Sequence, residues 1–146
     1  MPAKDAFHEE VRRALHNDGW QIQADPLHLK WGRRDFYVDL AATRFLFARK
    51  GESRIAIEIK SFGGRSAIAD LEQTLGQFLM YRSILRRQEP ERKLYLAVSE
   101  DTFLDVFENL EEIGSLLLAD YEIPLLIFDQ TMEVIIAWKE PSNIVN

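Results

Sequence analysis

The spacing of hydrophobic residues predicts three helices along the chain. In residues 5–17 the apolar side chains recur every three or four positions, and the pattern stops before Gly19. The same spacing runs through residues 66–88 and again through residues 101–120. Each stretch has one apolar side, so we expect each helix to pack against a hydrophobic core.

Strands are predicted between the helices, where apolar residues alternate with polar ones or cluster. The clearest is residues 54–60, in which Ile55, Ile57 and Ile59 occupy every second position. Residues 50–52 form a turn between this strand and the preceding one, which indicates a hairpin. The other predicted strands are residues 20–24, 35–41, 45–49, 94–99, 124–128 and an edge strand at 134–138, while residues 27–34 are predicted to be a loop.

The alternation of strands and helices is typical of a layered α/β domain. We therefore expect a mixed central sheet that is flanked by helices. The chain has 146 residues, which is enough for one hydrophobic core, and no repeat or linker-like segment divides it. A single domain over residues 1–146 is the resulting prediction.

Composition narrows the chemistry that the chain can carry. It has no cysteine, which excludes disulfides, cysteine nucleophiles and thiolate metal sites and fits a reducing compartment. No apolar run approaches the roughly 20 residues that span a bilayer, and the N-terminal residues lack the apolar region of a secretory signal. We expect a cytoplasmic protein that does not contact a membrane.

The net charge of −6 hides an uneven distribution of charged residues. Residues 1–98 hold 17 of the 18 Lys and Arg against 13 acidic residues, whereas residues 99–146 hold one lysine against 11 acidic residues. A ligand responds to the local field rather than to the total charge. The N-terminal part could therefore present a basic face to DNA, or its charges could simply be solvated.

Glu58 and Lys60 are the strongest candidates for chemistry. A strand with three isoleucines on one face carries these two residues together on the other face. Burying them is costly unless they meet a charge or a metal ion. Asp39 is a single acid inside the preceding apolar strand, and hairpin pairing would place it beside Glu58. The alternative is a face that is open to water and carries a weak ion pair.

Two converging carboxylates and a lysine suit metal-assisted hydrolysis of a phosphodiester. Mg²⁺ takes oxygen ligands, polarises the phosphoryl oxygen and lowers the pKa of bound water, and Mn²⁺ can substitute for it. We expect Asp39 and Glu58 to be metal ligands and Ile59 to add its backbone carbonyl. Lys60 would face the attacking water and stabilise charge on phosphorus.

Asp39, the hairpin and then Glu58-Ile59-Lys60 resemble the core of the PD-(D/E)XK restriction-endonuclease-like superfamily. That resemblance implies an extra acid in the first helix that reaches the metal, here Glu9. It also implies a Q-x-x-x-Y element on the following helix, here Gln77 and Tyr81, which share one helix face. Glu9 can equally be a first-turn acid that the helix dipole favours, and Gln77 and Tyr81 can be polar residues at the edge of the core.

Four blocks of sequence, taken in order, resemble the XisH family. They are residues 34–40, 55–62, 70–78 and 94–98. The resemblance extends from about residue 4 to residue 139. It implies a cyanobacterial factor that controls programmed excision of the fdxN DNA element during heterocyst differentiation, beside a site-specific recombinase and a partner protein, XisI.

Three hypotheses of function follow. The first is a metal-dependent endonuclease of the PD-(D/E)XK type that acts on DNA, as a homodimer if it cuts both strands. The second is a catalytically silent nuclease fold that regulates a recombinase through an XisI-like partner, with residues 101–120 as the contact surface. The third is a nuclease that a partner restrains, which would be toxic when expressed alone. The basic residues expected to contact phosphate are Arg33, Arg34, Arg44, Lys60, Arg65, Arg82, Arg86 and Arg87. His8 is expected to be a surface residue.

Overall fold

A computed structural model describes residues 4–46, 51–109 and 111–141. Its helices are α1 (His8–Asn17), α2 (Ala67–Gln88), α3 (Glu100–Thr102), which continues as a π-helix (Phe103–Glu108), and α4 (Ile113–Asp120). Its strands are β1 (Gln21–Ala24), β2 (Leu27–Trp31), β3 (Arg34–Val38), β4 (Leu40–Leu46), β5 (Gly51–Ile59), β6 (Arg92–Ser99), β7 (Leu125–Asp129) and β8 (Val134–Lys139).

Six of the strands form a mixed central sheet in the order β1-β4-β5-β6-β7-β8. The three middle strands, β5, β6 and β7, are parallel, and the strands on either side of them pair antiparallel. Parallel neighbours need a crossover, which α2 provides between β5 and β6 and the α3–α4 segment provides between β6 and β7. The predicted α/β class, with a mixed central sheet, is confirmed.

Strand β5 separates two hydrophobic cores. Ile55, Ile57 and Ile59 are buried on the face that α1 covers. Ala56 lies in the core on the opposite face, which α2 and α4 cover. Since side chains alternate along a strand, Glu58 belongs to the same face as Ala56, as the alternation of isoleucines predicted.

The predicted helices at residues 5–17 and 66–88 are confirmed, with small shifts at their starts. Ser66 caps α2, because its hydroxyl accepts a hydrogen bond from the Ala69 amide at 3.2 Å. Helix α1 begins at His8, after a turn in which the Asp5 carboxylate accepts the Phe7 amide at 2.9 Å. Within the described ranges, no helix has the length and apolarity needed to cross a membrane.

The prediction of a loop at residues 27–34 is wrong. Strands β2 and β3 form a separate antiparallel ribbon, and Gly32 turns the chain between them with φ of 61°. Leu29 is buried in β2 while its neighbours are exposed, because the ribbon packs one side against α2. The Gln88 side chain at the end of α2 donates to the Lys30 carbonyl at 2.7 Å and ties the two elements together.

The strand predicted at residues 35–41 breaks at Asp39. Its first part, β3, belongs to the ribbon, and its second part, β4, belongs to the central sheet. Strand β4 extends to Leu46 and pairs with β5, so the hairpin is confirmed. The remainder of the strand predicted at 45–49 lies outside the described residues.

The prediction of one helix over residues 101–120 is also wrong. The chain runs through α3 and the π-helix, becomes extended at Asn109 and starts again at α4. At Gly114 a Cβ atom would overlap the Val106 carbonyl oxygen and crowd the Phe107 ring. The absence of a side chain there lets α4 pack directly against the π-helix.

Replacing Gly114 with alanine is therefore expected to lower the free energy of unfolding by about 1–3 kcal/mol, because the contact with Val106 cannot relax without moving backbone. The matched control is Gly76→Ala in α2, where an added Cβ meets nothing within 4 Å. This second change should be neutral or stabilise by up to about 1 kcal/mol. Denaturant unfolding measures both. Equal effects of the two changes would contradict the packing described here.

Candidate metal centre

Asp39 and Glu58 meet where the pairing of β4 with β5 ends. The last pair of that ladder is Leu40 with Ile57. Beyond it, the Asp39 amide donates to Glu58 Oε1 at 3.3 Å, and the Ile59 amide donates to Asp39 Oδ2 at 2.7 Å. The two carboxyl groups therefore accept backbone N–H groups at the position where β4 and β5 no longer pair with each other.

Burial makes this pair of acids difficult to ionise. Glu58 is 8% exposed. Its pKa is raised to about 9, first by burial and then by the charge of Asp39 and a hydrogen bond between the two side chains. The pKa of Asp39 is also raised, again chiefly by burial. In the absence of a cation the two groups therefore share one proton near neutral pH.

Asp5 connects α1 to this site, and the sequence analysis missed it. Its carboxylate accepts the Ser61 amide at 2.9 Å, just past the end of β5, while its other oxygen accepts the Phe7 amide at the start of α1. Its charge also contributes to raising the pKa of Asp39 and of Glu58. An acid before a helix is a recognisable start signal, but nothing in the sequence indicates the bond to Ser61.

Lys60 is held by a partner that the sequence analysis also missed. Its Nζ lies 3.6 Å from Asp70 Oδ1 in the first turn of α2, and both side chains are mostly buried. The other oxygen of Asp70 accepts the Gly64 amide at 3.0 Å. A Cβ at Gly64 would come within 2.7–3.0 Å of the Asp70 carboxylate. The glycine therefore allows the loop to close over Asp70 and fix the position of Lys60.

Helix α2 brings Tyr81 close to the carboxyl pair. Tyr81 is 8% exposed. Burial raises its pKa to about 12, with the charges of Glu58 and Asp39 as the further causes. Gln77 is partly buried one turn earlier on the same helix, and its contact with the site stays a prediction.

At the start of α1 the structure separates two neighbouring residues. Glu9 is half exposed, with Lys4 at 3.7 Å and Arg13 at 4.0 Å, and its role as a metal ligand stays a prediction. His8 is 3% exposed, so the expectation of a surface histidine is wrong. Its Nε2 lies 2.7 Å from Asp25 Oδ1, and its charge lowers the pKa of Asp39 against the larger effect of burial.

Comparison with known proteins gives a consistent family. A family model described as XisH protein matches residues 1–136. A solved structure of an XisH family protein from Nostoc punctiforme is 40% identical, with a TM-score of 0.83 over 93% of this chain and 100% of that chain. A solved fdxN element excision controlling factor protein from Anabaena variabilis is 39% identical, with a TM-score of 0.82 over 94% and 100% of the two chains. No curated protein sequence matches the chain.

The carboxyl pair predicts how stability depends on pH. Without a metal the folded protein keeps a proton on Glu58 up to about pH 9, whereas the unfolded chain loses it near 4.5. Between these values the wild type loses up to about 1.4 kcal/mol of stability per pH unit. Glu58→Gln has no such proton to lose, so it should become more stable relative to the wild type as the pH rises.

Chemical denaturation in the presence of a chelator, from about pH 5 to pH 9, measures this difference. Glu52→Gln is the matched control, because Glu52 lies near the other end of β5 and is exposed. Its stability should follow that of the wild type at each pH. A Glu58→Gln difference that does not change with pH would show that Glu58 is ionised in the folded protein.

Proposed function

The chain belongs to the XisH family, and from that premise we propose that it is a metal-dependent DNA phosphodiester hydrolase that acts in controlling the excision of a DNA element. The name of its Anabaena variabilis neighbour, an fdxN element excision controlling factor, supports this biological setting. The chemistry rests on one observation. The partly buried Asp39 and the buried Glu58 form a pair, and Lys60 directly follows the strand that carries Glu58.

The PD-(D/E)XK restriction-endonuclease-like fold is part of this proposal. Its support is the order of elements around the site: an acid directly before β4, an antiparallel hairpin, an acid near the end of β5 and a lysine directly after that strand. Helix α2 then crosses to the parallel strand β6 and carries Tyr81, whose pKa is affected by the charges of Glu58 and Asp39.

The residues present suit a hard divalent cation such as Mg²⁺ or Mn²⁺. Asp39 and Glu58 offer carboxylate oxygens, which these ions prefer as ligands, and Ile59 next to them offers a backbone carbonyl. A cation in place of the shared proton would relieve the repulsion between the two carboxylates. When bound, it would supply Lewis acidity to the phosphodiester and to the attacking water.

The other side chains would act on the substrate directly. Lys60 is a positive charge held by Asp70, able to orient water and to stabilise charge developing on phosphorus. The Tyr81 hydroxyl stays protonated at neutral pH because its pKa is about 12, so it can donate a hydrogen bond to a phosphate oxygen. The amide of Gln77, four residues earlier on α2, could do the same.

Basic residues expected to contact DNA differ in their availability. Arg44 and Arg82 donate hydrogen bonds to backbone carbonyl groups, so their guanidinium groups already have partners within the protein. Arg33 and Arg34 are exposed where β2 turns into β3. Because β3 leads directly into Asp39, this basic tip is about 16 Å from the carboxyl pair, one strand length away. Arg65 and Arg86 are also exposed, whereas Arg87 donates to the Ser83 carbonyl at 2.9 Å.

A second candidate function is a catalytically silent module that controls a recombinase through an XisI-like protein partner. The observation that favours it is the acidic segment from α3 to α4, which leaves Leu104, Ile113 and Leu116 exposed. Apolar side chains in an acidic, solvent-facing segment are a feature of protein contact surfaces. Co-purification with the partner, together with no cleavage under any metal, would favour this function.

Cleavage of DNA is the direct test of the proposal. Wild-type protein with Mg²⁺ or Mn²⁺ should cut at least one of a panel of supercoiled, linear, branched and single-stranded DNA. Glu58→Gln and Lys60→Ala should each lower the rate by about 100-fold or more, because one removes a ligand and the other a fixed charge. Cutting of both strands at one site would imply two copies of the chain.

The matched control is again Glu52→Gln, which changes an exposed acid on the same strand and should cut like the wild type. Activity that survives Glu58→Gln unchanged would come from a contaminant or from another site. No cutting by the wild type, with no uptake of Mg²⁺ or Mn²⁺ in calorimetry, would contradict the hydrolase and leave the control module.

A further inference from the structure

A groove of about 540 Å³ lies between the β2–β3 ribbon and helix α2. Most of the side chains that line it are apolar, and none of the described lining residues is acidic. They are Trp31 and Phe36 from the ribbon and Leu79, Met80, Ser83, Ile84 and Arg87 from the helix. Trp31 and Met80 are each 50% exposed, so this apolar surface is open to solvent. The groove therefore suits a ligand with a flat apolar face.

The register of the ribbon determines which side chains face this groove. Leu29 pairs with Phe36, and Trp31 pairs with Arg34. Residues that stand opposite each other, and residues two apart along one strand, project from the same face. Leu29 is buried in the core that α2 also joins, so Trp31 and Arg34 continue the same face beyond the end of that core. An arginine therefore lies beside the exposed indole ring.

The surroundings of the groove are basic. Arg33 and Arg34 are exposed at the tip of the ribbon and form no ion pair with other residues that the structure describes. Arg87 donates one N–H group to a carbonyl of its own helix at 2.9 Å, which leaves its other guanidinium donors for a ligand. The acid of the ribbon, Asp35, projects from the opposite face and contacts His28 at 2.7 Å. A negatively charged ligand is therefore favoured.

An exposed aromatic ring with arginines beside it is the combination that binds single-stranded nucleic acid. Bases stack on the aromatic ring, and the basic side chains contact the phosphates. In a duplex the faces of the bases are covered by stacking, and only their edges are accessible in the grooves. Trp31 can therefore stack only on a base that is unpaired. A protein ligand would fill the apolar groove but would leave Arg34 and Arg87 unexplained.

Phe36 connects the groove to the candidate metal centre. Its ring lines the groove and lies 6.4 Å from the ring of Tyr81, in an edge-on arrangement. Asp39 follows three residues later along the chain, which is about 10 Å for an extended strand. A DNA strand with one base in the groove can therefore bring a nearby phosphate to the carboxyl pair.

We propose that this groove binds unpaired bases of single-stranded DNA, with Trp31 stacking on a base and with Arg34 and Arg87 contacting the adjacent phosphates. The inference rests on the proposed function and names its substrate class, which is DNA that contains a single-stranded segment. The protein should therefore cut single-stranded and branched DNA in preference to linear duplex DNA.

Fluorescence anisotropy of a labelled single-stranded oligonucleotide, and of a duplex of the same length, tests the groove directly. A chelator is present, so binding is measured without cleavage. The wild type should bind the single strand about tenfold more tightly than the duplex. Trp31→Ala should weaken binding of the single strand by about tenfold, because it removes the stacking surface. Trp31→Phe keeps an aromatic ring and should retain most of the affinity.

The arginines predict a change in salt dependence. Arg34→Gln should weaken binding and lower the slope of log affinity against log salt concentration by about one, because one phosphate contact is lost. The matched control is Tyr121→Ala, since Tyr121 is an exposed aromatic residue that does not line the groove. This variant should bind both DNA forms like the wild type.

Three results would overturn the inference. One is single-strand binding that Trp31→Ala leaves unchanged, and another is a duplex that binds as tightly as the single strand. The third is a wild-type dimer in sedimentation that Trp31→Ala dissociates without any loss of DNA binding, because a second copy of the chain would then occupy the groove.

The outcomes separate this inference from the proposed function. Single-strand binding that depends on Trp31 would support the groove even if no DNA is cut with any metal, and the failure would then concern the hydrolase alone. Cleavage of single-stranded DNA with the same kcat/KM in wild type and Trp31→Ala would overturn the role of the groove and leave the hydrolase intact.

Discussion

Two carboxyl groups buried side by side cannot both be ionised without a counter-charge, and much of this structure is arranged around that constraint at Asp39 and Glu58. The pairing of β4 with β5 stops one position before the pair. Each carboxyl group then accepts an amide from the other strand. These hydrogen bonds fix both side chains but stabilise negative charge less than a neighbouring cation would. The pair therefore either keeps a proton or binds a cation.

Two distant parts of the chain are held at this point by polar contacts, and a third is joined to it through the backbone. Asp5 joins the start of α1 to the end of β5. Asp70 joins the start of α2 to Lys60. The β2–β3 ribbon enters the site directly, because the residue after β3 is Asp39 itself. A change in any of these contacts would act on the carboxyl pair through its geometry, even where the residue never touches a substrate.

The parts of the site that could be predicted are those that depend on the sequence of a single strand or hairpin. Alternation of isoleucines placed Glu58 on the face opposite α1, and the hairpin brought Asp39 to it. Strand β2 was missed because only Leu29 on one side of it is buried, so its sequence has the polar character of a loop. The break in residues 101–120 was missed because it depends on how Gly114 packs against Val106, a tertiary contact.

The residues that position the site were missed for a related physical reason. Asp5, Asp25 and Asp70 have no feature in the sequence that distinguishes them from other acids. Their partners are Ser61, His8 and Lys60, which lie 56, 17 and 10 positions away, and Asp5 contacts Ser61 only through the backbone amide. His8 was expected at the surface because it sits among charged residues at a helix start. Its burial follows from the approach of β1, which no local pattern indicates.

The central claim is that Asp39 and Glu58 form one unit that exchanges a shared proton for a divalent cation. Calorimetric titration of Mn²⁺ at about pH 7.5, repeated in buffers with different ionisation enthalpies, counts the protons released on binding. The account predicts the release of about one proton by the wild type and close to none by Glu58→Gln at whatever binding remains. Binding by the wild type with no proton release would contradict it, because the pair would then be fully ionised before the cation arrives.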